Sequence, residues 1–150
     1  MFDLHELYQE IVMDHNRHPR NFRELHGNVS SAEGFNPLCG DEVKIYIRLQ
    51  DEQISDISFQ GSGCAISKAS ASMLTDTLNG MTIKEAMETF KSFRNMLITP
   101  SENRINNELP GDLDVLSGVS QYPARVKCAV LAWHTLDSAL HGKKDGVTTE

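Results

Sequence analysis

Cys39, Cys64 and Cys128 are the chain's three cysteines, and each stands in surroundings that suit a thiolate. Cys39 sits in Asn36-Pro37-Leu38-Cys39-Gly40-Asp41, a turn with a carboxylate two residues on. Cys64 follows Gly61-Ser62-Gly63, where a helix is expected to begin, and Cys128 follows Arg125-Val126-Lys127 on an amphipathic C-terminal stretch. Taken singly, a cysteine is more often an inert buried thiol than a reactive one. The chemistry rests on the three together with Asp41. A thiolate at Cys39 beside that carboxylate is a like-charge pair, which raises the thiol pKa and blunts its reactivity. A divalent cation between them reverses the logic, because a coordinating thiol is deprotonated outright. Three sulfurs and one oxygen suit tetrahedral zinc, or iron in a nascent cluster, far better than magnesium or calcium. The spacing is not that of a paired Cys-x-x-Cys zinc knuckle, so residue type and local setting carry the reading.

Those settings agree with an anionic site. Gly61-Ser62-Gly63 lets backbone N–H groups converge, and a helix N-terminus favours a thiolate at Cys64. Arg125 lies three positions before Cys128, on the same helix face, and with Lys127 would stabilise its thiolate. The alternative for Arg125 is a solvated surface charge.

The elements that must position these groups are readable from periodicity. Leu4, Leu7, Tyr8, Ile11 and Val12 predict an amphipathic helix over about residues 3–16, which stops before Pro19. Val43, Ile45, Ile47 and Leu49 alternate with polar residues as a half-buried strand does, and residues 50–53 read as a turn into a second strand over 54–60. A third strand is expected around Val29 to Ala32. From Cys64 the pattern becomes helical through Ile66, Ala69, Met73, Leu74 and Leu78, ending at Gly80. Thr82 and Glu85 are spaced as a capping box for a helix carrying Ile83, Ala86, Met87, Phe90 and Leu97. Residues 99–120 read as a long loop with a short turn at Leu113 to Leu116, and loops of that length are often functional. Pro123 suits the first turn of a last helix bearing Val126, Val130, Trp133 and Leu140, stopped near Gly142.

A chain of 150 residues with 39% hydrophobic content suits one domain, expected over residues 1–142, followed by a disordered tail over 143–150. The net charge of −7, without a dense Lys/Arg block, argues against nucleic acid as a partner. No apolar run approaches the ~20 residues of a membrane span. Without a basic-then-apolar start, and with an odd number of cysteines, the expectation is a cytoplasmic protein with reduced thiols.

Over nearly its full length the chain resembles the IscU/SufU (NifU N-terminal-like) family of iron–sulfur cluster assembly proteins. Tyr8, Ile11, Asp14, His15, Pro19, Arg20 and Asn21 match the family's N-terminal pattern. Asn36 to Asp41 match its Cys-Gly-Asp loop, Gly61 to Ser67 its second cysteine turn, and Cys128 its third cysteine. The resemblance implies an α+β fold, with a small three-stranded antiparallel sheet packed against several helices and the metal site at one end. Two residue-level departures point to the SufU branch. Lys127 stands where the IscU branch has histidine before the last cysteine, and Gln121-Tyr122-Pro123-Ala124-Arg125 replaces its Leu-Pro-Pro-Val-Lys motif for an Hsp70-type chaperone, which is therefore not expected as a partner. The longer stretch between Cys64 and Cys128 points the same way.

The SufU branch implies zinc held by Cys39, Asp41, Cys64 and Cys128, with Cys39 accepting persulfide sulfur from a SufS-type cysteine desulfurase. Arg125 would orient the partner or the anionic sulfur, the 99–120 loop could add to docking, and a downstream scaffold or apo-protein would take the product. The rivals are a scaffold that assembles a transient [2Fe-2S] cluster on the same ligands and a binding module with purely structural zinc. His5, His15, His18, His26, His134 and His141 are assigned structural or solvated places.

Overall fold

Val43, Ile45 and Ile47 on one strand and Ile57 and Phe59 on the next are all buried, and they build the inner face of a twisted sheet. A computed structural model describes residues 4–99, 109–142 and 147–148 of the chain, with the side chains of 4–7 and 147–148 outside that description. In chain order the elements are α1 (Leu4–Arg17), β1 (Ser30–Asn36), β2 (Asp41–Gln50), β3 (Gln53–Ser62), α2 (Ala65–Leu78), α3 (Ile83–Ile98), a 3₁₀ stretch (Leu113–Gln121), α4 (Pro123–Leu140) and β4 (Val147–Thr148). Strands β1, β2 and β3 form the antiparallel three-stranded sheet that was expected. The two-residue β4 lies parallel to β1 at its outer edge. The rest of the 143–150 tail, and residues 100–108 of the long loop, lie outside the described residues.

Helix α4 lies across β1 and β2 and against α2. Its fit is close: a β-carbon on Gly34 of β1 would stand 2.0 Å from Thr135 Oγ1. This explains why β1 runs four residues beyond Ala32, the expected end. Its buried positions are Ala32, Gly34 and Asn36, none of which shows as a bulky apolar residue. Trp133 anchors α4, stacked on Phe93 of α3 at a centroid separation of 4.6 Å. Its indole N–H donates to Ser70 Oγ of α2 at 3.1 Å, and that hydroxyl donates to the Ala129 carbonyl at 2.6 Å. Position 128 is thereby fixed one residue away from a cross-link between two helices.

The capping box at α3 forms as the spacing predicts, with Thr82 Oγ1 accepting from Glu85 N–H and Glu85 Oε1 from Thr82 N–H, each at 3.1 Å. The second half of the expected long loop is instead a 3₁₀ stretch nine residues long. Leu113, Leu116 and Val119 recur every third residue, the period of a 3₁₀ helix, and all three are buried. A wider turn would rotate one of them away from the core.

Helix α1 is tied down by polar groups. His15, 1% exposed, meets Ser72 Oγ at 2.7 Å through Nδ1 and Asp112 Oδ2 at 3.3 Å through Nε2. Ser72 Oγ also accepts from Arg20 N–H at 2.8 Å, and Thr75 Oγ1 donates to the Arg20 carbonyl at 3.1 Å. These bonds hold the turn after α1 against α2, so His15 has a structural place. Among the described residues no helix is long and apolar enough to cross a membrane.

Candidate metal centre

The site forms where three strand ends and two helix starts meet. Asn36 closes β1 and Asp41 opens β2, and they face one another in register, so residues 37–40 form the hairpin turn that carries Cys39. Pro37 lacks a backbone donor and Gly40 takes a φ of +69°, a left-handed conformation that glycine adopts without steric cost. On the other side, β3 ends at Ser62 and Gly63 leads into Cys64, the N-cap of α2. Cys64 Sγ accepts from Ser67 N–H at 3.4 Å. Cys128 lies in the second turn of α4 and is fully buried.

The glycines before Cys64 have a sharper purpose than converging N–H groups. A β-carbon on Gly61 would stand 2.2 Å from the Glu42 carbonyl oxygen, and one on Gly63 would stand 2.3 Å from Asp41 Oδ1. They let the end of β3 press against the start of β2. That approach brings Cys64 N–H to Asp41 Oδ1 at 2.8 Å and Cys64 Sγ to within 3.9 Å of Asp41 Oδ2.

Ligand atoms of Cys39, Asp41 and Cys128 all lie within 4.8 Å of one another. The sulfurs of Cys128 and Cys39 are 3.3 Å apart, and Cys64 stands at the edge of the group on the Asp41 side. Asp41 is fully buried, Cys39 and Cys64 are half-buried, and all three cysteines are free thiols. Burial pushes the Cys128 thiol far above its usual range, and its neighbours Cys39, Cys64 and Asp41 push the same way. Such a group cannot hold several negative charges unaided, whereas a divalent cation among them stabilises all of them at once.

The donor set fits zinc. With zinc–sulfur bonds of about 2.3 Å, two sulfurs of a tetrahedron lie ~3.8 Å apart. The observed pair needs to open by about half an ångström, which the Cys39 turn can supply. Both Asp41 oxygens already accept a hydrogen bond, Oδ1 from Cys64 N–H and Oδ2 from Asn36 Nδ2 at 3.2 Å, and each keeps a lone pair for a metal.

Arg125 is exposed on the first turn of α4. Negative charge on Cys64, then on Cys128, raises its pKa, with Cys39 adding. It therefore belongs to the rim of the site. Two rim or wall residues carried no role in the sequence reading. Tyr8 of α1 is half-buried, and burial lifts its phenol above the ordinary range, with Arg125 opposing and Cys64 and Tyr122 adding. Asn36 is fully buried between Asp41 and Cys128. Each was visible as part of a motif, but nothing in its residue type marks it as part of a metal site.

Residues 7–140 match the family described as NifU-like N-terminal domain. The chain is 37% identical over 144 residues to the zinc-dependent sulfurtransferase SufU of Bacillus subtilis (strain 168), covering 96% of both chains. It is 38% identical over 137 residues to the iron–sulfur cluster assembly scaffold protein IscU of Streptococcus pyogenes serotype M1, covering 91% of this chain and 84% of that one. Among solved structures, FiSufU of the SUF system from Fervidobacterium islandicum AW-1 superposes with a TM-score of 0.80 at 35% identity, covering 91% of this chain and 98% of that one. The NifU-like protein from Brucella abortus shares the fold, with a TM-score of 0.75 at 19% identity over 94% of this chain and 97% of that one.

Proposed function

The chain belongs to the NifU-like N-terminal domain family of iron–sulfur cluster assembly proteins, and from that membership we propose that it is a zinc-dependent sulfur acceptor for a SufS-type cysteine desulfurase. The observation that carries the reading is the convergence of Cys39, Asp41 and Cys128, with Cys64 alongside, when only Cys39 rides on a surface turn. Its neighbour Leu38 is 68% exposed, while Cys128 is fully buried and Cys64 caps a helix. A partner can therefore reach the Cys39 sulfur without unpacking a helix.

Zinc, when bound by Cys39, Asp41, Cys64 and Cys128, would keep its thiol ligands ionised. The Cys39 thiolate attacks the terminal sulfur of the desulfurase persulfide. A new sulfur–sulfur bond forms on Cys39, the old one breaks, and the desulfurase cysteine leaves as a thiolate. No net oxidant is needed. Arg125 stands where an anionic sulfur or an acidic partner side chain would arrive, and Leu38 and Tyr122, 60% exposed, offer apolar contact beside it. The product persulfide then passes to a downstream scaffold or apo-protein.

The likeness to the Streptococcus pyogenes scaffold favours a second reading, in which the same residues hold a transient [2Fe-2S] cluster and Asp41 keeps it labile. Three measurements on protein purified in air separate them. The sulfur-acceptor reading expects close to one zinc per chain, no iron–sulfur chromophore, and label from ³⁵S-cysteine appearing on the wild type in the presence of a cysteine desulfurase. A brown protein with substoichiometric zinc, whose label is released by acid as sulfide, favours the scaffold.

A further inference from the structure

We propose that Asn36 is the positioning residue of the metal centre: one buried amide braces the Cys39 turn while aiming Asp41 and Cys128 at the metal. The inference rests on the metal-binding reading above. Asn36 is 0% exposed and makes three contacts with the site. Its Oδ1 accepts from Leu38 N–H at 3.3 Å, which closes the turn one residue before Cys39. Its Nδ2 donates to Asp41 Oδ2 at 3.2 Å and to Cys128 Sγ at 3.5 Å.

The orientation of the amide follows from its neighbours. A carboxylate only accepts and a backbone N–H only donates, so a flipped amide would set oxygen against oxygen at Asp41 and nitrogen against N–H at Leu38. A primary amide is also the one neutral side chain of this size with two donors and an acceptor. Serine or aspartate could close the turn equally well, since both accept from a backbone N–H two residues on. Neither could donate to two ligand atoms at once. The choice of asparagine is therefore explained by the ligands, not by the turn.

The two donated bonds have a definite consequence for the metal. Each donated N–H fixes the direction of the atom that it meets, so Asp41 and Cys128 are held in place for the metal. On the Cys39 side, Asn36 holds the turn through Leu38 N–H. The fixed ligands are thus Asp41 and Cys128, and Cys39 is left as the ligand free to depart. Partners of this kind, lying behind the ligands, set metal affinity by about 10–100-fold.

Asn36→Ser keeps an acceptor for Leu38 N–H but cannot reach Asp41 or Cys128, and Asn36→Ala removes both functions. Zinc affinity by chelator competition, the spectrum of the cobalt(II)-loaded protein, and thermal unfolding of the zinc-free protein are measured for both variants and wild type. Both should bind zinc about 10–100-fold more weakly with altered sulfur-to-cobalt bands, and zinc-free Asn36→Ser should be more stable than zinc-free Asn36→Ala because it keeps the Leu38 bond. Wild-type affinity and cobalt spectrum in Asn36→Ser reduce Asn36 to a turn residue and overturn the inference. In case the variants fold poorly, the wild-type side-chain amide provides an independent readout. On cadmium loading both Asn36 Nδ2 proton resonances should shift, and resonances that stay in place overturn the inference. A wild-type chain that takes up neither zinc nor cobalt overturns the metal reading itself, and this inference with it.

Discussion

Asp41 Oδ1 accepts the backbone N–H of Cys64 at 2.8 Å, joining the first residue of β2 to the cap of α2. The bond makes Asp41 both a candidate ligand and a structural clamp. Asp41→Ala leaves that N–H and the Asn36 amide without their acceptor in a buried setting. The zinc-free variant should lose about 1–3 kcal/mol of stability. Its zinc affinity should fall by at least the ~10–100-fold that loss of a residue behind a ligand costs. Chelator competition and thermal unfolding on the same samples give both numbers. Unchanged zinc affinity alongside reduced stability would leave Asp41 as a clamp only.

Gly63 offers a test of the same contact from the opposite side. A β-carbon there would stand 2.3 Å from Asp41 Oδ1 and 2.9 Å from Asp41 Cα, at a φ of +150°. Neither the backbone nor the buried carboxylate can give way cheaply, so Gly63→Ala should cost about 1–3 kcal/mol and lower zinc affinity without removing any ligand. Gly118→Ala is the control, because nothing lies within 4 Å of the added carbon. It should stay within ~0.5 kcal/mol of wild type and bind zinc normally. Equal zinc affinity in the two variants would show that the Gly63 approach does not position Asp41.

Cys39→Ala should abolish transfer of label from ³⁵S-cysteine in the presence of a cysteine desulfurase while leaving the fold intact. Cys39 is half-buried on a hairpin turn, so its removal should change stability by no more than ~1 kcal/mol. Mass spectrometry of the desulfurase reaction should find the added sulfur on the Cys39 peptide of wild type. Label retained by Cys39→Ala and lost in Cys64→Ala or Cys128→Ala would move the acceptor role to another sulfur.

The reach of the sequence reading follows from which signals are chemical and which are geometric. Thiols and a carboxylate announce metal chemistry by residue type, so Cys39, Asp41, Cys64 and Cys128 could be grouped before any fold was known, although Cys64 stands at the edge of the group the fold assembles. The Thr82–Glu85 capping box and Pro123 at the start of α4 were legible because their physics is local to one turn. The end of β1 was not, since Gly34 and Asn36 are buried by what α4 and the metal centre require of them, not by hydrophobicity. The 3₁₀ stretch hid for a different reason. Leu113, Leu116 and Val119 repeat every third residue, a period that a search at 3.6 or 2.0 passes over. Asn36 reads as a turn former beside Pro37, and only the register that sets it opposite Asp41 gives its amide a second task.

Arg125→Ala should leave zinc in place and weaken coupling to the desulfurase. A guanidinium has no lone pair for a metal, so Arg125 acts through charge and hydrogen bonds alone. Its raised pKa, caused first by Cys64 and then by Cys128, places its charge against the sulfurs, while its exposure leaves it open to a partner. The variant should need several-fold more protein for half-maximal stimulation of the desulfurase, with zinc content unchanged. Arg125→Lys should recover part of the loss, because it keeps the charge and not the planar fork. Added salt should narrow the gap between wild type and Arg125→Ala, since an exposed charge is screened over roughly 8 Å at physiological ionic strength. Wild-type stimulation curves at low salt would return Arg125 to the role of a solvated surface charge.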